Sequence, residues 1–195
     1  MLPCRMCHGI FLILAAAATV GCGLDGKTSN SGTTSSPGTA TGTVVVRGEA
    51  SGTGGGVLDD AGRLDVTLSE VTVFPAEGGS GLPAVGTIGP TTLTGGPVTV
   101  DLLALGGAGG TTLASGPTPV ADYERVRVTV SQASLVLRNG TSIPLAIENG
   151  TIELPINVQV EQGQTASFTL EFNVQDSIRV DQSLQGTFRP AVRVP

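Results

Sequence analysis

Residues 168–175 read Phe-Thr-Leu-Glu-Phe-Asn-Val-Gln. Apolar and polar side chains alternate strictly, so Phe168, Leu170, Phe172 and Val174 share one strand face and Thr169, Glu171, Asn173 and Gln175 the other. The same two-residue period sets Val126, Val128 and Val130 against Arg125, Arg127 and Thr129, and Val66 and Leu68 against Asp65, Thr67 and Ser69. Helical periodicity is almost absent from Thr43 onward. Half-buried strands in series, joined by short turns, predict an all-β domain over residues 43–195: a single antiparallel β-sandwich of prealbumin or immunoglobulin type.

Glycine clusters at 52–56, 78–81 and 106–110 lack the strand-to-helix context of a phosphate site and read as loops. Asn139-Gly140 and Asn149-Gly150 are type I′ hairpin signals. Together they predict a meander of Leu135–Arg138, Thr141–Glu148 and Thr151–Leu154. Pro144, in the shared middle strand, cannot donate a ladder bond, which predicts a bulge or a short first hairpin. Two octets, VTLSEVTV at 66–73 and VTVSQASL at 128–135, change their apolar phase at the same place. A bulge or tight bend produces such a switch. Their likeness reads either as an internal duplication or as coincidence in a Val/Thr-rich chain.

The N-terminal residues have a different character. Arg5 precedes an apolar or small-residue run from Ile10 to Val20, eleven residues long. That is short for a membrane span and suits the apolar core of a signal peptide. Val20-Gly21-Cys22 follows and resembles a bacterial lipobox, with Thr19 where leucine is usual. The resemblance implies cleavage before Cys22, acylation of its thiol, including palmitate, and sorting to the outer membrane or cell surface. Two overlapping motifs lose their context on this reading. Gly21 to Thr28 matches a P-loop expression, yet the Ser/Thr/Gly run after it cannot form the required helix. Cys4-Arg5-Met6-Cys7-His8 matches a haem-attachment signature but lies in the piece removed. The expected organisation is a signal peptide at 1–21, a lipidated Cys22 with a flexible linker to 42, and the sandwich beyond.

Cleavage also removes the single histidine, His8, together with Cys4 and Cys7, and Cys22 carries the lipid. The remaining chain has no imidazole and no free thiol, which excludes Cys/His metal sites and histidine-assisted nucleophiles. The sequence holds 10 Lys+Arg and 16 Asp+Glu; losing Arg5 leaves 9 against 16, a net charge of −7. No basic patch offers the phosphate neutralisation that nucleic-acid binding needs. No cofactor or metal is expected.

The order Asp60-Ala61, LDVTLSEVTVF, VDLLAL, ADYERVRVTV, LEFNVQDSIRV and FRPAVRV resembles the bacterial lipoprotein domain known as domain of unknown function 4382. Two pieces depart from its pattern: Asp60-Ala61-Gly62 stands for Asp-Ala-Pro, and Glu171-Phe172-Asn173 for Asp-Phe-Asp. The resemblance implies an exported prealbumin-like sandwich and no established activity.

Carboxylates are the remaining catalytic material. Asp59, Asp60 and Asp65 could serve a paired-carboxylate hydrolase or a Ca²⁺ loop, but their spacing is not that of an EF-hand and reads as a solvated turn. Asp176 is in phase with the apolar face of Phe168 to Val174. It either faces the core, with Arg179 or Arg193 or backbone N–H groups as partners, or lies in a turn. Tyr123 follows Asp122 where a strand begins, similar to strand starts in prealbumin-like and immunoglobulin-like sandwiches whose phenol hydrogen-bonds back to the chain; the alternative is a half-exposed edge tyrosine. Sugar stacking has only Tyr123, Phe74, Phe168, Phe172 and Phe188 to draw on. The expectation is a membrane-tethered, non-catalytic envelope module, binding or structural, that meets an envelope protein or glycan and no nucleic acid. The alternative is a carbohydrate-binding or carboxylate-based hydrolytic domain.

Overall fold

The structure, a computed structural model, describes residues 40–77, 88–106 and 110–195. The chain enters β1 (Thr41–Ser51), two residues earlier than the sequence pattern suggests, and a 3-10 turn at Gly56–Asp60 leads into β2 (Ala61–Pro75). Short strands β3 (Thr91–Thr92) and β4 (Val98–Asp101) follow, then a 3-10 turn at Leu102–Ala104 and β5 (Thr111–Pro119). Next come β6 (Ala121–Leu137), β7 (Ser142–Ile147), β8 (Thr151–Val160) and β9 (Thr165–Asn173). A single helical turn, α1 (Val174–Ser177), precedes β10 (Ile178–Val180), β11 (Gly186–Phe188) and β12 (Val192–Arg193).

Two sheets result. The smaller runs β12-β9-β1-β5; the larger runs β10-β11-β7-β6-β2-β3, with β4 also on β2 and β8 also on β6. The alternating residues meet between the sheets. Val44, Val46, Leu64, Val66, Leu68, Val126, Val128, Leu170, Phe172 and Phe188 are all buried there. The all-β sandwich is therefore the fold.

The phase switch has its cause in the β2–β6 ladder. Val66 pairs with Ala133, Thr67 with Gln132, Leu68 with Val130, Glu70 with Thr129 and Val71 with Val128. Ser69 and Ser131 are left out of the register and form two adjacent bulges. Each skipped residue returns the next apolar side chain to the core. The octets are thus related by a local two-fold through Leu68 and Val130, and their serines repeat it. Ser69 Oγ donates to Thr129 O at 3.3 Å, and Ser131 Oγ to Thr67 O at 3.4 Å. Matching positions meet matching surroundings, so the pairing itself accounts for the likeness of the octets.

Two turn expectations need correction. At Asn139-Gly140 the loop has three residues: Gly140 N–H donates to Leu137 O and Leu137 N–H to Thr141 O. Only Gly140 is left-handed, with φ 87°, so this is a type I turn with a bulge and not type I′. Asn149-Gly150 makes no hairpin. β7 pairs with β6 at 133–136 and β8 pairs with the same edge of β6 at 121–129, so the two strands run in tandem. Asn149, at φ 53°, makes the step between them. Gly150 passes so close to Val130 O and Ile147 that a Cβ would lie 2.7 Å from each. Pro144 lies in the regular ladder opposite Ser134, with neither a bulge nor a shortened hairpin.

Candidate functional site

Tyr123 opens β6 at the foot of the core. It is 1% exposed, and its hydroxyl donates to Pro119 O at 3.0 Å, four residues back. The ring locks the β5–β6 corner, and burial pushes the phenol pKa up. The hydrogen-bonded geometry, not the half-exposed edge, is the one observed.

Asp176 does not reach the core. β9 stops at Asn173, and the chain turns through α1, leaving Asp176 exposed. Asn173 caps that turn: its Oδ1 accepts from Asp176 N–H at 3.2 Å, and its Nδ2 donates to Asp176 Oδ2 at 2.6 Å. Arg193 instead makes a two-pronged pair with Glu171, at 2.7–2.9 Å. The missed residue is Asn173, and its signal was legible: an Asn three positions before an acid marks an N-cap.

The acidic trio is not gathered. Asp59 Oδ1 accepts from Gly55 N–H at 2.9 Å within the 3-10 turn. Asp65 pairs with Arg63 at 2.7 Å on β2. Asp101, a residue the sequence reading passed over, accepts from Leu64 and Leu103 N–H groups at 3.0 Å each and fixes the β4 corner. Among the described residues no group of three or more His, Cys, Asp or Glu is placed to hold a metal ion. Cys22, the signal segment, the P-loop and haem-like motifs, and the cluster at 78–81 lie outside the described residues, as does most of the cluster at 106–110.

Other charged groups are tied up on the surface. Arg125 and Arg127 stack on the Phe74 ring, 4.9 and 4.7 Å from its centroid, and both bond Glu153. Those arginines, Arg127 first, hold the Glu153 carboxyl below its usual range. The Ser51 hydroxyl, and then Arg193, do the same for Glu171. Asp181 is held down by the N–H of Gln185 and by Ser183, whose hydroxyl and N–H both donate to its Oδ1. The Asp181 loop carries Leu184 at its tip, 54% exposed and left-handed at φ 59°.

An opening lies at the side of the sandwich. A cleft of about 580 Å³ lies between β8 and β9, lined by Ile156, Val158 and Phe168 among others. β8 belongs to the larger sheet and β9 to the smaller, and among the described residues no strand bridges them here. Phe168 points inward by period yet is only half-buried, because the cleft leaves its flank uncovered.

These features sit on a recognised sequence unit: residues 57–190 match the family described as a domain of unknown function, DUF4382. The chain belongs to that family. The match runs from the first 3-10 turn to just before β12 and takes in both bulged octets, Tyr123 and the cleft residues of β8 and β9. Neither a curated protein nor a solved structure gives a significant match.

Proposed function

We propose that this DUF4382 chain is a lipid-tethered, non-catalytic module of the bacterial envelope that binds or braces a partner through the exposed surfaces of its sandwich. One observation carries the reading. Among the described residues each carboxylate with a displaced pKa, Glu153, Glu171 and Asp181, is pulled down towards its charged form. General acid chemistry needs the reverse, a carboxyl raised towards the working pH by burial or by a like charge. The chain also enters β1 beside the 161–164 turn, where Thr43 N–H donates to Gln164 O and Gly163 N–H to Thr41 O. A tether from Cys22 would therefore meet one end of the sandwich, while the Asn139-Gly140 turn, at the far end of β6, faces the other way.

Two experiments test the reading. Membrane fractions from cells carrying Cys22→Ser should lose the protein; retention would remove the tether. Purified protein screened on glycan, ester and peptide substrates should show no turnover. Turnover abolished by Asp59→Asn, Asp60→Asn or Asp65→Asn would replace the reading with the hydrolytic one.

A further inference from the structure

Asn139-Gly140 and Asn149-Gly150 are each followed by threonine, Thr141 and Thr151. An Asn-Gly pair is chemically weak, because glycine has no side chain to keep its own nitrogen away from the asparagine amide carbon. The structure holds the two pairs differently. At the β6–β7 turn both reacting groups are engaged. Gly140 N–H donates to Leu137 O at 2.9 Å, and Asn139 Oδ1 accepts from Thr141 N–H at 2.9 Å. Nucleophile and electrophile must each give up a hydrogen bond before they can meet.

At the step from β7 to β8 neither group is engaged. Glu148 N–H donates to Phe188 O at 2.9 Å, and Gly150 O accepts from Val130 N–H at 2.7 Å, so the chain is pinned on both sides of Asn149. Between the pins Asn149 is exposed. Among the described residues neither its side-chain amide nor the Gly150 N–H makes a hydrogen bond. The reactive pair is also the pair that the step demands. Asn149 is left-handed at φ 53°, a conformation that glycine and asparagine accept more readily than other residues. At 150 a Cβ would lie 2.7 Å from the backbone oxygen of Val130, so only glycine fits.

We propose that Asn149 is a spontaneous modification site, where the side chain cyclises onto Gly150 and asparagine becomes aspartate and isoaspartate. Hydroxide takes the Gly150 N–H proton, and the nitrogen attacks Asn149 Cγ. The new C–N bond closes a cyclic imide, and the side-chain nitrogen leaves as ammonia with a proton from water. Water then adds to one of the two imide carbonyls. Opening at Cγ gives aspartate. Opening at the main-chain carbonyl gives isoaspartate, which routes the backbone through the side chain and lengthens it by a methylene. Both products place a new negative charge beside Glu148. Isoaspartate also stretches the link between the two pins, where Gly150 is packed against Val130 and Ile147. The bond from Val130 N–H to Gly150 O, at the bulge of β6, then weakens. The reaction needs only water and base, so the inference goes beyond the proposed function and does not depend on it.

The test uses the full-length protein, aged in warm, mildly alkaline buffer and mapped by peptide mass spectrometry. Amide loss should be about tenfold faster at 149 than at 139, the factor expected when one or two hydrogen bonds must first break at the slower site. In urea, where both Asn-Gly-Thr stretches are unfolded, the two rates should converge. Isoaspartate should appear among the products at 149, and the Val130 N–H should exchange with solvent several-fold faster in the aged protein than in the fresh one. Asn149→Gly keeps a residue that accepts the left-handed conformation and removes the amide. It should fold and abolish both changes, while amide loss at 139 continues. Equal or faster loss at 139, a difference that persists in urea, or Val130 exchange unchanged after isoaspartate has formed at 149 would each overturn the proposal.

Discussion

The β2–β6 ladder and the β8–β9 flank are made of the same alternating pattern and end in opposite states. β2 and β6 share thirteen register pairs and have neighbours on both sides. Their inward residues Leu64, Val66, Leu68, Val71, Val73, Val126 and Val128 are wholly buried. β8 and β9 turn from one sheet to the other at residues 161–164, and a cleft, flanked by Val194 and Pro195, opens between them. Phe168 has the same inward phase as Leu170 and Phe172, yet they are fully buried and it is not. Alternation fixes which way a side chain points; burial needs a neighbour to cover it.

Deleting core volume should show the contrast most strongly. Leu68→Ala, at the local two-fold of the ladder, should cost about 2–5 kcal/mol, the range for a large-to-small change in a closed core. Phe168→Ala should cost clearly less, despite removing the larger side chain. Urea unfolding of both variants checks this, and equal losses would mean that the flank is as closed as the ladder.

A smaller effect belongs to the corner that joins the two regions. Tyr123→Phe removes the hydroxyl that bonds Pro119 O and leaves the ring in place. The expected loss is about 0.5–1.5 kcal/mol, the net worth of one hydrogen bond. An unchanged urea midpoint would reduce Tyr123 to packing alone.

The local two-fold makes a comparative prediction. Ser69→Ala and Ser131→Ala remove equivalent long hydrogen bonds, at 3.3 and 3.4 Å. Each should cost less than about 0.5 kcal/mol, and the two costs should be alike. Losses that differ severalfold would break the symmetry of the bulge pair.

The smallest effect is with pH. Asp181 and Glu171 have folded-state pKa values below their ordinary ones. A depressed carboxylate stabilises above its unfolded pKa, near 4, and that contribution is lost as pH falls through the folded value. Asp181→Asn should therefore lower stability slightly near neutrality, where the contribution is fully present, and flatten the acid side of the profile, so that variant and parent converge as pH falls below the folded value. A difference at pH 3 as large as or larger than that at pH 7 would contradict it.

Strand faces were legible because alternation is local and each of these strands carries it. The phase switch was legible too, but its cause was not. Ser69 and Ser131 are sixty-two positions apart, and only the pairing of β2 with β6 sets their bulges side by side. Asn149-Gly150 misled because a left-handed Asn serves a hairpin and a step between tandem strands equally well. For Asp176 the sequence allows both core and turn, because the two-residue phase can be extended past the end of a strand. The Asn173 cap ends β9 three residues earlier, and local hydrogen bonding outranks the pattern. Nothing in the periodicity of β9 marked the cleft beside Phe168, which depends on how β8 and β9 part between the two sheets.

The central claim is that the β8–β9 flank is more open than the β2–β6 ladder, and amide hydrogen exchange reads it residue by residue. Ala166, Phe168 and Leu170 direct their N–H groups towards β1, and Ser167 and Thr169 direct theirs outward. The account predicts slow exchange at 166, 168 and 170, which face β1, and faster exchange at 167, which faces the cleft. Uniform protection across 166–170 would contradict it.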